Sequence, residues 1–249
     1  MNSNKYTVVL ILFLMNAMSA KAQLFGGQIK SSNSITSLYP NGTIFCISGP
    51  TAVVDVTNPT TGKIWMDRNL GASQVATSST DANSYGDLYQ WGRRSDGHQC
   101  RSSATTTILS TTDQPAHGDF IVRVSILVFD WRNPQNANLW QGVNGVNNPC
   151  PIGYRIPTSA ELDSERLTWN VSDFNQAFNS TLKLPAGGER FQDGIIANVG
   201  VWANYLSSTT ATSSSFVLNI YPSCSSPPCA VIVGSYQRIQ GGSVRCIKN

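Results

Sequence analysis

The sequence contains little charge and few groups that carry out acid–base chemistry. Charged residues make up 12% of its 249 positions, and His98 and His117 are the only histidines. No run of lysines and arginines occurs, so the basic surface that binds nucleic acid or an anionic membrane is absent. Beyond the N-terminus, no apolar stretch approaches the roughly 20 residues that cross a bilayer as a helix. We therefore expect no nucleic-acid partner and no membrane insertion of the mature protein.

Sequence motifs for metal binding are also missing. Zinc sites are typically built from Cys-x2-Cys pairs or clustered histidines, and here only Cys224 and Cys229 lie close together. His98 and Cys100 could supply half of a zinc site, but the sequence shows no second half. We therefore expect no metal and no other cofactor.

The first 22 residues have the three parts of a secretory signal peptide. Lys5 provides the positive charge, residues 8–15 form a short apolar run, and Ala20-Lys21-Ala22 is a cleavage site. Cleavage removes Lys5 and Lys21 and lowers the formal charge from +3 to +1. The sequence thus predicts a secreted, extracellular or cell-surface protein, with the periplasm as an alternative location.

Six cysteines remain after cleavage, and these are Cys46, Cys100, Cys150, Cys224, Cys229 and Cys246. An even number of cysteines in an exported chain favours disulfides, because the compartments outside the cytoplasm are oxidising. Their spacing alone does not decide among the many connectivities that six cysteines allow.

The composition favours an α+β or mainly β protein with many loops, since Ser, Thr, Asn and Gly are abundant. Residues 23–51 form a polar lead-in, and residues 52–249 are predicted to form one domain. This domain begins with a hairpin, whose strands are residues 52–56 and 63–66 and whose turn is residues 58–62.

Further along the chain, the clearest element is a helix that begins at Thr158, which forms a capping box with Glu161. A second helix is predicted from Ser172 to Phe178. The strongest strand candidate in the irregular middle of the chain is Phe120 to Phe129. Short strands are also predicted at residues 182–184, 216–221, 230–233 and 243–247.

Five short phrases stand in order along the predicted domain. They are GKIWMDRNL at 62–70, YGDLYQWG at 85–92, CPIGYRIPT at 150–158, LKLPAGG at 182–188 and SVRC at 243–246. Together they resemble the Fibrobacter succinogenes major paralogous domain family of exported bacterial proteins, over about residue 52 to the end. That family tends to have an aromatic pair before Ser-Ser-Thr, where this chain has Asn204-Tyr205-Leu206 and lacks the tryptophan of the pair. Any ligand contact that this tryptophan makes in the family would have to come from Trp202 here.

This family is similar to the C-type-lectin-like fold, which it shares with the formylglycine-generating enzyme group. The resemblance implies a disulfide-stapled α+β fold with two short helices, small antiparallel sheets and long irregular loops. It also implies a Cys150–Cys246 bridge, which would close a loop of about 100 residues and contribute on the order of 4 kcal/mol. Cys224–Cys229 would then be a local clip, and Cys46–Cys100 would be the remaining pair.

The sequence offers few catalytic groups. A lone histidine in a loop is usually exposed and inert, and Glu161 is occupied by capping. Asp163 and Glu165 are predicted to lie on the exposed side of the same helix. The Glu-Pro-Asn and Trp-Asn-Asp motifs of calcium-dependent lectins do not occur, and no reactive cysteine pair is recognisable. We therefore expect neither an enzyme nor a calcium site.

Aromatic, amide and guanidinium side chains are concentrated near the C-terminus. Such side chains suit sugar stacking and protein hot spots, although about half of them would be expected in the core. The predicted ligand-binding residues are Trp202, Asn204, Tyr205, Tyr221, Tyr236, Arg238 and Gln240. They indicate a secreted or surface-exposed, non-catalytic binding module that recognises a glycan or a protein without calcium. The alternatives are an enzyme or enzyme remnant of the formylglycine-generating type and a structural subunit of a surface fibre.

Overall fold

The computed structural model describes residues 35–169, 173–221 and 229–249. Ser31–Asn249 form one compact unit, whose described part combines small, mostly antiparallel sheets with two short α-helices. This arrangement confirms the predicted α+β class. The predicted signal peptide, residues 23–34 of the lead-in, and Cys224 lie outside the described residues.

Most of the strands are only two or three residues long. In chain order they are β1 (Asp55–Thr57), β2 (Ile64–Met66), β3 (Tyr89–Gln90), β4 (Thr105–Thr106), β5 (Phe120–Ile121), β6 (Tyr154–Arg155), β7 (Glu189–Arg190), β8 (Ile196–Ala197), β9 (Ala203–Thr210), β10 (Ser214–Ile220), β11 (Ala230–Gln237), β12 (Gly241–Gly242) and β13 (Ile247–Lys248). The helices are α1 (Ser159–Arg166) and α2 (Phe174–Asn179), and Ala82–Ser84 form a 3-10 turn. Loops therefore carry much of the described chain.

The strands are arranged in three antiparallel sheets and one parallel pair. The antiparallel sheets have the strand orders β1-β2-β13-β6, β11-β10-β9 and β3-β12-β7-β8, while β4 and β5 pair in parallel. In the first sheet, β13 lies between β2 and β6. The last described strand thus completes the sheet that the first strand begins.

Local sequence patterns fix the first hairpin and the first helix. β1 and β2 pair through a turn in which Asn58 Oδ1 accepts hydrogen bonds from the N–H groups of Thr60 and Thr61. At the start of α1, Thr158 Oγ1 accepts from the Glu161 N–H, and the Glu161 carboxylate accepts from the Thr158 N–H. Both features confirm the predictions. Each depends on residues only a few positions apart, so the local sequence pattern was sufficient to predict it.

Two of the predicted strands are wrong. Only the two residues of β5 are strand within the predicted 120–129 segment, because its partner β4 offers just two residues for pairing. Residues 182–184 are not a strand either, although Leu182 and Leu184 are buried. Lys183 between them has a φ of +46°, which turns the chain out of the extended conformation.

The predictions for the C-terminal part are mixed. β10 and β11 confirm the strands predicted at 216–221 and 230–233. The predicted 243–247 strand is strand only at its last residue, where β13 begins. β9, which pairs along β10, is absent from the sequence-based prediction, because its Asn, Ser and Thr residues lack the apolar alternation that indicates a strand.

Disulfides join Cys46 to Cys100 and Cys150 to Cys246, as the family resemblance implied. Cys229 is also disulfide-bonded. The Cys150–Cys246 bridge ties the segment before α1 to the residue next to β13. Disulfides of this kind fit a compartment outside the cytoplasm.

Candidate functional site

The described residues form a cleft of about 250 Å³ beside the Cys46–Cys100 bridge. Its two charged side chains are Asp87 and Arg101. The rest of its lining consists of Cys46, Ile47, Gly71, Ser73, Ala82, Asn83, Gly86 and Ser102. The cleft lining thus holds one acid and one base, with no second carboxylate and no histidine.

Two glycines bring the chain segments around Asp87 close together. The Asp87 N–H donates a hydrogen bond to the Leu70 carbonyl oxygen at 2.9 Å, and a Cβ at Gly86 would lie 2.2 Å from that oxygen. Gly71 has a φ of +80°, and a Cβ there would lie 2.2 Å from Asp87 Cγ. Only glycine permits this approach, and it places the carboxylate of Asp87, a lining residue of the cleft, against the backbone of Gly71.

Asp87 is buried without a partner. Asp87 is only 6% exposed. No described residue donates a hydrogen bond to its carboxylate or forms an ion pair with it. Burial raises the pKa of this carboxyl group to about 7, and the positive charge of Arg101 acts in the opposite direction. Buried polar groups normally have hydrogen-bond partners, because leaving them unpaired costs free energy. Asp87 is therefore an acceptor that a ligand in the cleft could complete.

Arg101, the other charged residue of the cleft, is held firmly by backbone carbonyl groups. Its Nε donates to the Gly86 carbonyl oxygen and its Nη2 to the Gly187 carbonyl oxygen, both at 2.7 Å. Its guanidinium carbon lies 5.7 Å from the centre of the Tyr85 ring. Burial lowers the pKa of Arg101, which nevertheless remains charged at neutral pH because arginine is so strongly basic. Nη1 donates to none of the described residues, so one donor of this side chain stays available to a ligand.

Asp81 shows how different a satisfied carboxylate looks in the same region. It accepts hydrogen bonds from the Gln74 side chain, from the Thr77 N–H and hydroxyl, and from the Asn83 N–H. These bonds lower the pKa of Asp81, and the bond from Gln74 has the largest effect. They also fix the 3-10 turn that forms one wall of the cleft. Asp81 is thus a structural residue, whereas Asp87 lacks such partners.

Four of the predicted ligand-binding residues belong to the core, and this corrects their assignment to a binding surface. Asn204, Tyr205, Tyr236 and Arg238 are each at most 7% exposed. Their polar groups bond inside the protein, with Asn204 donating to Glu189 at 3.0 Å and both tyrosine hydroxyls donating to backbone carbonyls at 2.9 Å. Arg238 pairs with a buried aspartate and lies over the Trp91 ring at 4.6 Å. These side chains suit burial because each one finds an internal partner.

The other three predicted residues are half-buried and do not form one patch. Trp202 and Tyr221 make an edge-to-face pair with ring centres 5.1 Å apart, at the end of the sheet where Ile220 pairs with Ala203. Gln240 lies at the opposite end of β10, where its Oε1 accepts from the Gln237 N–H. Of the predicted set, the structure therefore brings together only the Trp202–Tyr221 pair at the surface.

The expectations for histidine and Glu165 also need correction. His98 is fully buried instead of exposed, because its Nε2 accepts the Gln90 N–H at 3.0 Å and its Nδ1 donates to Asp96 at 2.6 Å. Burial, and then the charge of Arg93, lower the pKa of His98 to about 4. Glu165 is 1% exposed and accepts a 2.6 Å hydrogen bond from Asn58. It is buried because the β1–β2 turn packs on α1.

Sequence reasoning misses Asp87 and Arg101 as site residues. Asp87 lies in an apolar, aromatic segment whose composition indicates the core. The one available signal is a carboxylate directly after a glycine in such a segment, since an acid inside a buried stretch needs a reason. Arg101 carries no signal, because its position depends on carbonyl groups at Gly86 and Gly187 that are distant in sequence.

No protein-family model, curated protein or solved structure matches this chain. In the described ranges, no group of three or more His, Cys, Asp or Glu side chains is arranged to hold a metal ion. None of the helices described has the length and apolar character that a membrane span requires.

Proposed function

We propose that the protein is a secreted or surface-exposed, non-catalytic binding module that recognises a glycan or protein ligand without calcium. In this proposal the fold is of the C-type-lectin-like class, and the chain is a member of the Fibrobacter succinogenes major paralogous domain family. The observation that carries the proposed activity is the buried, unpartnered carboxylate of Asp87 in a cleft that it shares with Arg101.

An unpaired buried carboxylate lowers stability, and it is therefore the kind of group that is retained for binding or chemistry. Binding is favoured over catalysis by the composition of the cleft. Asp87 would need a nucleophile or a second proton-transferring group, whereas the lining contains no histidine and no second acid, and its cysteine is in a disulfide. A ligand that donates hydrogen bonds to Asp87 needs none of these groups.

The alternative of a formylglycine-generating type of enzyme requires reactive thiols. The five cysteines within the described residues are all disulfide-bonded. The sixth, Cys224, lies outside the described residues. Thiol titration of the folded mature protein tests this alternative directly. We expect no reactive thiol, and a reactive pair would favour the enzyme.

The proposed function can be tested with the mature protein on a glycan array and on a panel of extracellular proteins. Asp87→Asn removes the charge at constant size, and Asp193→Asn is the matched control. Asp193 is exposed and accepts only the Ile195 N–H, which an Asn oxygen can also accept. We expect a ligand that wild type and Asp193→Asn bind equally and that Asp87→Asn binds at least tenfold more weakly. Equal binding by all three proteins, or no ligand on either panel, would overturn the proposal.

A further inference from the structure

The ligand that enters the cleft must complete two separate groups. Asp87 is a buried acceptor without a donor, and Arg101 has a free donor without an acceptor. The two charges influence each other, but neither a hydrogen bond nor an ion pair joins them. A single ligand group that carries a donor and an acceptor on neighbouring atoms could therefore lie between them.

We propose that the cleft receives the free N-terminus of a protein or peptide ligand, with the ammonium group on Asp87 and the first carbonyl oxygen on Arg101. This inference rests on the proposed binding function and names the part of the ligand that is recognised. An N-terminal residue carries its ammonium group and its carbonyl group on the same Cα, so one residue can offer both the donor and the acceptor.

An ammonium group is the donor that suits Asp87 best. Charge-assisted hydrogen bonds to a carboxylate are about twice as strong as neutral ones, and they also compensate the buried negative charge. A hydroxyl donor would leave that charge uncompensated at a residue that is only 6% exposed.

Arg101 distinguishes an N-terminus from a lysine side chain. A lysine ammonium could reach Asp87, but it would bring no acceptor for Nη1. The carbonyl oxygen of an N-terminal residue accepts from Nη1, while Nε and Nη2 remain bound to Gly86 and Gly187. Arg101 would thus select the α-amine over the side-chain amine.

The size and the lining of the cleft favour a short chain end over a sugar. Its volume of about 250 Å³ lies below the range of roughly 300–1,000 Å³ that is usual for small-molecule pockets. No aromatic ring lines it for a sugar to stack on. The apolar members of its lining include Cys46, Ile47 and Ala82, and Ile47 is 41% exposed. This lining suits a small, apolar first side chain such as that of alanine.

The test is an NMR titration of the isotopically labelled mature protein with matched small probes. The peptide Ala-Gly-Ser-amide has a free N-terminus, and its N-acetylated form differs only in lacking the ammonium group. Nα-acetyl-lysine amide offers a side-chain ammonium, and ethylamine offers an ammonium without a carbonyl group. We expect Ala-Gly-Ser-amide to bind at least tenfold more tightly than any of the other three, with shifts at Gly71, Asp87 and Arg101.

Variants then locate the binding. Asp87→Asn should weaken binding of Ala-Gly-Ser-amide at least tenfold, Arg101→Lys should weaken it severalfold, and Asp193→Asn should leave it unchanged. A variant spectrum that matches the wild-type spectrum for residues outside the cleft would show that the variant is folded. Equal binding of the free and acetylated peptides, or of the peptide and ethylamine, would overturn the inference, as would unchanged binding by Asp87→Asn. If the panel ligands of the proposed function still require Asp87 while the peptide does not bind, the inference fails and the proposed function stands.

Discussion

The α-carbon of Gly71 lies directly against the carboxylate of Asp87. A Cβ at Gly71 would be 2.2 Å from Asp87 Cγ and 2.4 Å from both carboxylate oxygens. Real Cβ atoms do not come so close, so the position of the carboxylate depends on the absence of a side chain at residue 71. The geometry of the candidate site therefore depends on Gly71, although this glycine has no functional group that could contact a ligand.

Gly71→Ala should disturb both stability and ligand binding. The positive φ and the clash with Asp87 together should cost about 2–4 kcal/mol in the free energy of unfolding. Gly153→Ala is the matched control, because Gly153 has a similar φ of +84° but a Cβ there would meet no atom within 4 Å. We expect the control to lose only about 1 kcal/mol and to keep full binding, as measured by denaturant unfolding and ligand titration. Equal losses in both variants would show that the contact with Asp87 does not matter.

Asp87→Asn should stabilise the protein at pH 8 and have little effect at pH 4. The pKa of Asp87 is raised to about 7, so the folded state holds a proton between pH 4 and 7 that the unfolded state has released. This penalty on the ionised form grows as the pH rises and reaches on the order of 4 kcal/mol above pH 7. Burying the Asn amide in place of the carboxylate costs part of this gain. The net stabilisation should therefore be about 1–3 kcal/mol at pH 8. Denaturant unfolding at both pH values measures it, and a variant that is less stable at pH 8 would contradict the prediction.

His98 should make the protein less stable as the pH falls from 6.5 to 4. Its folded-state pKa of about 4 lies below the unfolded value, so in this range only the unfolded chain takes up the proton. The expected loss from His98 is about 3 kcal/mol. It should be measured as the difference in pH dependence between the protein and His98→Gln, because the raised pKa values of Asp87, Asp130, Glu165 and Glu189 act in the opposite direction in both proteins. In ¹⁵N NMR spectra at pH 5.5, His98 should be neutral with its proton on Nδ1. A charged imidazole at that pH would contradict this prediction.

Asn58→Asp should destabilise the protein through Glu165. The new carboxylate could still accept the two N–H groups of the turn, but it would replace the 2.6 Å amide donor with a second negative charge against a buried acid. Burial already raises the pKa of Glu165, and we expect a loss of about 3–5 kcal/mol at pH 7.

The double variant Asn58→Asp/Glu165→Gln tests this explanation. Its Gln amide can donate to the new carboxylate, so much of the lost stability should return. Unfolding free energies of the four members of the cycle measure the coupling between the two positions. Additive losses in the double variant would show that the contact between residues 58 and 165 does not carry the effect.

The elements that could be predicted from the sequence depend on residues close together in the chain. The capping box of Thr158 and Glu161 and the Asn58 turn both belong to this group. Each is fixed by backbone groups within a few residues, so the sequence pattern is sufficient. The even number of cysteines likewise predicted disulfides without any knowledge of the fold.

The candidate site could not be predicted in the same way. Asp87 is brought into the cleft by the backbone conformation of Gly71, and Arg101 is held by the Gly187 carbonyl oxygen 86 residues away. Burial of Tyr205 and Arg238 likewise depends on partners from other parts of the chain. Residue type alone does not tell whether an aromatic or guanidinium group faces solvent or the core.

The central position of β13 has a consequence for the order in which the protein can fold. β13 supplies the strand between β2 and β6, and Cys246 beside it is the partner of Cys150. The pairing of β2 and β6 with β13, and of Cys150 with Cys246, must therefore wait until residues 246–248 have been synthesised. Pairing over such long sequence separations is slow, because the entropy of loop closure is lost before the contacts form. The sheet is thus completed by residues far along the chain from its first strand, and the edge of β2 stays open to other partners until those residues are available.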